Sequence, residues 1–238
     1  TGLMLATAAV LVAAGLTIWQ QPAAAQQTQS RRVDDGALRN AGTSGEDWLT
    51  YGLDPGEKRY SPLAQIDATN VTRLAPAWSF DIPGGNNNPP GGGNQEATLL
   101  ASNGVLYGIT TWSVVYAVDA RTGTQLWKWD PEVNRALDDS KDDSVCCGPV
   151  SRGVAVYGDK VIVPVLDGRL AALDARSGKV LWVVRATPAN EKYTFTMAPR
   201  VLKDKIIIGS AGGEFFVRGY FAAYDVNGRE LWRARSTT

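Results

Sequence analysis

The two cysteines of this chain are adjacent, Cys146-Cys147, and there are no others in its 238 residues. Joined to each other they would close a small ring around a strained peptide bond. Such a ring adds almost nothing through loop closure, because the loop has no length. Its uses would be a rigid flat surface or a redox role. The alternatives are two neighbouring free thiols, or a bond between chains. Other residues of chemically useful type flank the pair: Glu96 in NQEAT, Arg152 in CCGPVSR, Thr196 ahead of Met197-Ala198-Pro199, and the run Ser210-Ala211-Gly212-Gly213-Glu214. Taken singly, each has an ordinary explanation. Glu96 follows a Gly-Asn stretch and reads as a solvated loop carboxylate. Arg152 precedes an expected strand. Thr196 sits in β-rich text, where Thr is common. Gly212-Gly213 would serve a hairpin turn, with Glu214 as a flanking charge. Histidine is absent, which excludes imidazole triads and His-ligated metals from this stretch.

The elements that must position these residues are repeated. YAVDARTGTQLW at 116–127 returns as AALDARSGKVLW at 171–182 and, one residue shorter, as AAYDVNGRELW at 222–232. Trp78, Trp127, Trp182 and Trp232 follow one another at intervals of 49, 55 and 50 residues. Self-similarity at that period predicts a propeller or solenoid array. In each copy a strand with small Ala leads into an Asp…Gly hairpin turn, and Leu-Trp opens the next strand. A Trp at a fixed place in each unit can lie flat between adjacent sheets and set their rotation. Short apolar runs, VLYGIT, SVVYAV, QLWKW, GVAVYG, KVIVPVL, RLAALD, KVLWVV, RVLKD, KIIIGS, GYFAAYD and ELWRAR, give about four strands per unit. The fold class is therefore all-β, a β-propeller. Such rings close with about 4–8 blades, and three to four are expected here.

Upstream, the signals are weaker. A short helix is expected near residues 34–40, a helical turn at 61–66 and a strand at 74–82. GGNNNPPGGG at 84–93 is a loop, and ALDDSKDDSV at 136–145 an acidic, solvated insertion that lacks the spacing and Gly of a calcium loop. Trp112 and Trp129 are expected in strands, packed. Residues 1–25 read as a secretory leader: an apolar run at 3–18, then Ala23-Ala24-Ala25, with cleavage after Ala25. Residues 26–45 are a flexible mature N-terminus, and 46–238 the propeller portion. The leader predicts a periplasmic protein in an oxidising compartment. Charge is balanced, 24 basic against 24 acidic residues, so no field favours nucleic acid.

These motifs resemble the start of the pyrroloquinoline quinone (PQQ)-dependent alcohol dehydrogenases, and most of all the quinohaemoprotein ethanol dehydrogenase type. The likeness rests on WLTYGLDPGEKRYSPLAQI, NQEATLL, the CCGPVSRGVAVYGDK run and TFTMAPRVLKDKIIIGSAGGEFFVRGYFAAYD. It implies an eight-bladed propeller with PQQ near the axis. The ring of a Cys146–Cys147 disulfide would lie against the cofactor plane and Glu96 beside its polar edge. Arg152 would pair with a cofactor carboxylate, a task suited to a guanidinium fork. Thr196 would donate its hydroxyl to another. Ala211, Gly212 and Gly213 would approach the cofactor by backbone, and Glu214 would be one ligand of Ca²⁺. The implied reaction is oxidation of a primary, ethanol-like alcohol to the aldehyde, with electrons passed to a cytochrome c or a haem domain. The catalytic Asp, further calcium ligands and any haem c site would lie beyond residue 238. Membrane association through a partner subunit is the remaining implied contact. The alternative from another class is an exported, non-catalytic propeller scaffold of outer-membrane assembly type, which shares the tryptophan repeat.

Overall fold

Alternating apolar runs and Asp/Gly turns build twelve short strands. A computed structural model describes residues 31–82, 95–138, 145, 148–189 and 191–236. Strands β1 (Leu100–Ser102), β2 (Val105–Ile109), β3 (Val115–Asp119) and β4 (Gln125–Trp129) form one four-stranded sheet in that order. Strands β5 (Ala155–Tyr157), β6 (Lys160–Pro164), β7 (Arg169–Asp174) and β8 (Val180–Arg185) form a second. The third comprises β9 (Arg200–Leu202), β10 (Lys205–Gly209), β11 (Tyr220–Asp225) and β12 (Glu230–Arg235). All pairings are antiparallel between sequence neighbours. Three meander sheets in sequence are three propeller blades.

Burial explains the run types. The inner positions of β3 and β7 are buried on both faces, because each of these sheets is covered by its neighbour, whereas β11 leaves Phe221 exposed. Small residues there, Ala117, Ala171, Ala172, Ala222 and Ala223, are fully buried and let the sheets approach. The outermost strands β8 and β12 are mostly exposed.

Each repeated turn is built the same way. The Asp119 carboxylate accepts from the amides of Arg121 and Thr122 and from the Thr122 hydroxyl. Asp174 accepts from the Ser177 amide and hydroxyl. Asp225 accepts from the amides of Asn227 and Arg229. The glycine that closes each turn is left-handed, at φ 71° for Gly123, 70° for Gly178 and 88° for Gly228. Its missing side chain has a second use. The indole of the preceding unit's tryptophan lies on that bare glycine: a Cβ there would come within 2.7 Å of Trp78 at Gly123, 2.6 Å of Trp127 at Gly178 and 2.9 Å of Trp182 at Gly228. The indole N–H then donates to a turn carbonyl, Trp78 to Ala120 at 3.2 Å, Trp127 to Ala175 at 3.0 Å and Trp182 to Val226 at 3.0 Å. The expected tryptophan spacer between sheets is thus a ring docked on a glycine turn.

The N-terminal segment is tied across the sheets. Helix α1 (Asp35–Arg39) is capped by Asp34, whose carboxylate accepts from the Ala37 amide at 2.9 Å. Asp35 accepts from the Lys203 amide and the Tyr157 hydroxyl, reaching the third and second sheets. Trp48 pairs with Ala101 on β1, and Val33 with Gly158.

Three local expectations differ. Residues 74–82 do not form a strand, because no described strand lies alongside to share a ladder, although Trp78 still docks. Residues 61–66 make no helical turn; the single turn of 3₁₀ helix falls at Val71–Arg73, where Asp67 and Asn70 bond backbone amides. Trp112 lies in a 3₁₀ turn rather than a strand, while Trp129 ends β4; both are packed. The leader residues 1–25, residues 26–30 of the segment that follows, the 84–93 loop, the centre of the acidic insertion and Cys146-Cys147 fall outside the described residues. Among those described, no helix is long and apolar enough to cross a membrane.

Replacing the docked indole should cost the most. Trp127→Ala is expected to destabilise the protein by about 3–5 kcal/mol, read from the urea midpoint at constant slope. Acid should loosen the turns. Backbone amides hold the Asp119 and Asp225 carboxyls below their usual value, and the Ser177 hydroxyl does the same for Asp174. A depressed carboxyl stabilises the fold above its unfolded value, near 3.8, and that contribution is lost as pH falls through the lower folded value. Asp174→Asn should therefore flatten the fall in stability below about pH 4, measured by urea titration at stepped pH.

Candidate functional site

Each sheet begins with an innermost strand, and the residues just before those strands lie at one end of the molecule. Glu96 precedes β1, Arg152 precedes β5 and Thr196 precedes β9. Backbone hydrogen bonds stitch these three entries together. The Arg152 amide donates to the Thr196 carbonyl at 2.9 Å, and the Thr98 amide donates to the Arg152 carbonyl at 3.3 Å. The Arg152 guanidinium meets the Glu96 carboxylate at 3.1 Å and touches the Thr196 carbonyl at 3.5 Å. Both charged side chains are partly solvent-exposed, at 45% and 34%, so the pair adds little stability. Its value lies in orientation. The structure therefore unites three of the expected residues that follow one another at 56 and 44 positions in sequence.

The Ser210–Glu214 run joins from the same end, in the loop between β10 and β11. Ala211 pairs with Thr194, its amide donating to the Thr194 carbonyl at 2.9 Å and its own carbonyl accepting from the Thr194 amide at 3.3 Å. That places the run beside the stretch that carries Thr196. Gly212 is left-handed at φ 115°, and a Cβ on it would sit 2.2 Å from the Lys192 carbonyl. Only glycine can make this turn. At Gly213 a Cβ would meet nothing within 4 Å. Glu214 sits in the single 3₁₀ turn that follows, exposed, and makes no ion pair among the described residues. Two further glycine features tighten the wall. Gly153 has φ 145°, and a Cβ there would lie 3.3 Å from Ala198. Gly209 donates its amide to the Met197 sulfur at 3.0 Å.

Cys146 and Cys147 lie outside the described residues. Val145 on one side is buried, and Gly148 on the other turns at φ 86°. Sequence reasoning missed Thr98, Thr194 and Met197. The extended Thr194-Phe195-Thr196 alternation was a usable signal, with Phe195 fully buried in the core. Nothing in the sequence signalled Ser151, whose buried hydroxyl has no partner among the described residues.

A cation, a carboxylate, a hydroxyl-bearing side chain and a bare backbone turn thus converge at one end of a bladed β-structure. Among the described residues no group of three or more carboxylate, thiol or imidazole side chains could hold a metal. The class this defines is a β-propeller with a polar site on the face where the innermost strands begin. Residues 48–236 match the family model for the beta-propeller domain of PQQ glucose/ethanol/alcohol dehydrogenases, and the chain belongs to that family. It is 46% identical over 202 residues to the quinohemoprotein alcohol dehydrogenase ADH IIB of Pseudomonas putida, covering 84% of this chain and 28% of that protein. It is also 46% identical over 183 residues to a 1-butanol dehydrogenase (cytochrome c) of Thauera butanivorans, covering 76% of this chain and 25% of that one. The crystal structure of the quinohemoprotein alcohol dehydrogenase of Comamonas testosteroni superposes with a TM-score of 0.79 at 41% identity, over 87% of this chain and 29% of that chain. The chain thus spans between a quarter and three-tenths of the length of these relatives.

The two glycines of the turn should respond differently. Gly212→Ala is expected to destabilise by about 1–3 kcal/mol, because the turn cannot keep its conformation. Gly213→Ala should stay within about 0.5 kcal/mol of the parent. Paired urea titrations of the two variants test this.

Proposed function

We propose that the complete protein is a PQQ- and Ca²⁺-dependent dehydrogenase that oxidises a primary, ethanol-like alcohol to its aldehyde and passes electrons to a cytochrome c or haem c group. One observation carries this reading. In a chain of the PQQ propeller family, Arg152 is held by the Thr196 carbonyl and paired with Glu96, on the same face as the Ala211–Glu214 turn.

The residues present fit the cofactor. PQQ is flat and carries carboxylates beside its quinone oxygens. Arg152 offers a forked cation for one carboxylate, and Thr196 a hydroxyl for another. Gly213, where a Cβ would meet nothing within 4 Å, leaves its backbone open to a planar molecule, and Gly212 permits the turn that presents it, packed against the Lys192 carbonyl. Glu214, a hard oxygen donor, would give one ligand to Ca²⁺. Glu96 has two roles: it orients the Arg152 guanidinium before loading, and it borders the polar edge of the ring. When bound, PQQ supplies the two-electron acceptor and Ca²⁺ a Lewis acid at its quinone oxygen. The chain's own residues bind and orient that group and set its charge balance.

The remaining parts of the proposal follow from the sequence. The protein is exported to the periplasm, its leader is cleaved after Ala25, and Cys146 and Cys147 form a vicinal disulfide against the cofactor plane. A partner subunit would account for any membrane association.

The test uses the complete gene product, exported and purified. Dye-linked oxidation of ethanol is followed with PQQ and Ca²⁺ added, with a chelator and a thiol reductant as controls. Activity that requires both additions supports the reading. Absence of both turnover and tryptophan quenching would move the protein to the scaffold class. Arg152→Ala should weaken PQQ binding about 10- to 100-fold by fluorescence titration.

A further inference from the structure

We propose that Trp112 and Ser113 form a positioning clamp for the segment that carries Arg152; the inference rests on the PQQ-site reading above. The clamp is the turn between β2 and β3, on the face where Arg152, Thr196 and the Ala211–Glu214 turn lie. The corresponding loops of the other sheets each include a left-handed glycine, Gly168 at φ 84° in the second and Gly212 at φ 115° in the third, where Phe216 at φ 67° is a single left-handed non-glycine. The first sheet has no glycine there. Trp112 and Ser113 are left-handed in succession, at φ 60° and 62°, and both are buried. Two adjacent non-glycine residues in this conformation are strained, and they persist only where their surroundings over-determine them.

The surroundings are identifiable. The turn closes on itself through the Thr110 amide to the Val114 carbonyl at 2.8 Å and the Ser113 amide to the Thr110 carbonyl at 3.2 Å. The Trp112 amide then donates to the Pro149 carbonyl at 3.2 Å. The Ser113 hydroxyl oxygen accepts from the Leu166 amide at 2.9 Å, in the second sheet. The Arg135 guanidinium covers the Trp112 ring at 4.4 Å, and burial pushes its pKa down. Pro149 opens the run Pro149-Val150-Ser151-Arg152. That run is fixed at its far end by the Arg152 amide bond to Thr196. Leu166 in turn accepts from the Phe195 amide at 3.4 Å, next to Thr196. The clamp therefore holds both strands of approach to the Arg152–Thr196 contact.

The test uses the complete protein, with PQQ titrated into the apoprotein and followed by tryptophan quenching and by the absorption spectrum of the bound cofactor. Ser113→Ala removes the acceptor and keeps the strain. Ser113→Gly removes the acceptor and relieves the strain. Both are expected to raise the PQQ dissociation constant roughly tenfold, with kcat at saturating PQQ within about twofold of the parent. A merely structural role predicts another pattern: the glycine variant would bind PQQ as the parent does, because its backbone is relaxed. That result, or unchanged affinity in both variants, overturns the clamp. If the parent itself fails to bind PQQ, the cofactor reading fails instead, and the clamp with it. Trp112→Phe keeps the apolar body under Arg135 and should bind PQQ within about threefold of the parent, which separates the clamp from general damage to the turn.

Discussion

The fold depends on one contact made three times, a tryptophan ring seated on a bare glycine turn of the next sheet. It works because one residue meets two demands. The hairpin needs a left-handed residue, which glycine supplies most cheaply. The absent Cβ leaves a flat patch of backbone where an indole can lie, and the nearby carbonyl accepts the indole N–H. A large apolar area is removed from water, and the single polar atom of the ring is satisfied. The asparagine-containing third turn is one residue shorter, yet its Gly228 still receives Trp182. Turn length can vary while the docking survives, because the carboxylate of Asp225 re-forms the amide cradle with Asn227 and Arg229.

Fixed rotation between sheets is what creates the site. Glu96, Arg152 and Thr196 each come from a different blade, and none could meet another unless the blades held a set angle. Their contacts run mainly through backbone: the Arg152 amide to Thr196 and the Thr98 amide to the Arg152 carbonyl. Side-chain chemistry is added last, in the Glu96–Arg152 pair, whose exposure leaves it weak as a staple and suitable as an orienting contact. The architecture thus separates stability, held by buried Ala, Tyr and Trp between sheets, from the polar face, held by strained turns and short loops.

Much of this was legible in the sequence because the repeat encodes it directly. RLAALD and ELWRAR coincide with β7 and β12, and the Asp…Gly turns lie where their dipeptides stand. Such segments are legible because pattern, turn chemistry and burial agree. Residues 74–82 misled for a physical reason: they carry strand composition, but pairing needs a neighbour, and no described strand provides one. Trp112 misled because its apolar neighbours mask a backbone conformation that composition does not report. The candidate site was legible only through family resemblance. Glu96, Arg152 and Thr196 are single polar residues in β-rich text, and what unites them is blade geometry, which no local pattern carries. Thr194 and Met197 act through a backbone pair and a sulfur acceptor, features that sequence alone does not single out.

The most direct test is a crystal structure of the complete protein with PQQ and Ca²⁺ bound. The account predicts a cofactor carboxylate within hydrogen-bond distance of the Arg152 guanidinium, the Ala211–Gly213 backbone against the ring, and Glu214 among the metal ligands. A cofactor bound elsewhere, or an Arg152 still paired only with Glu96 and facing no ligand, would contradict it.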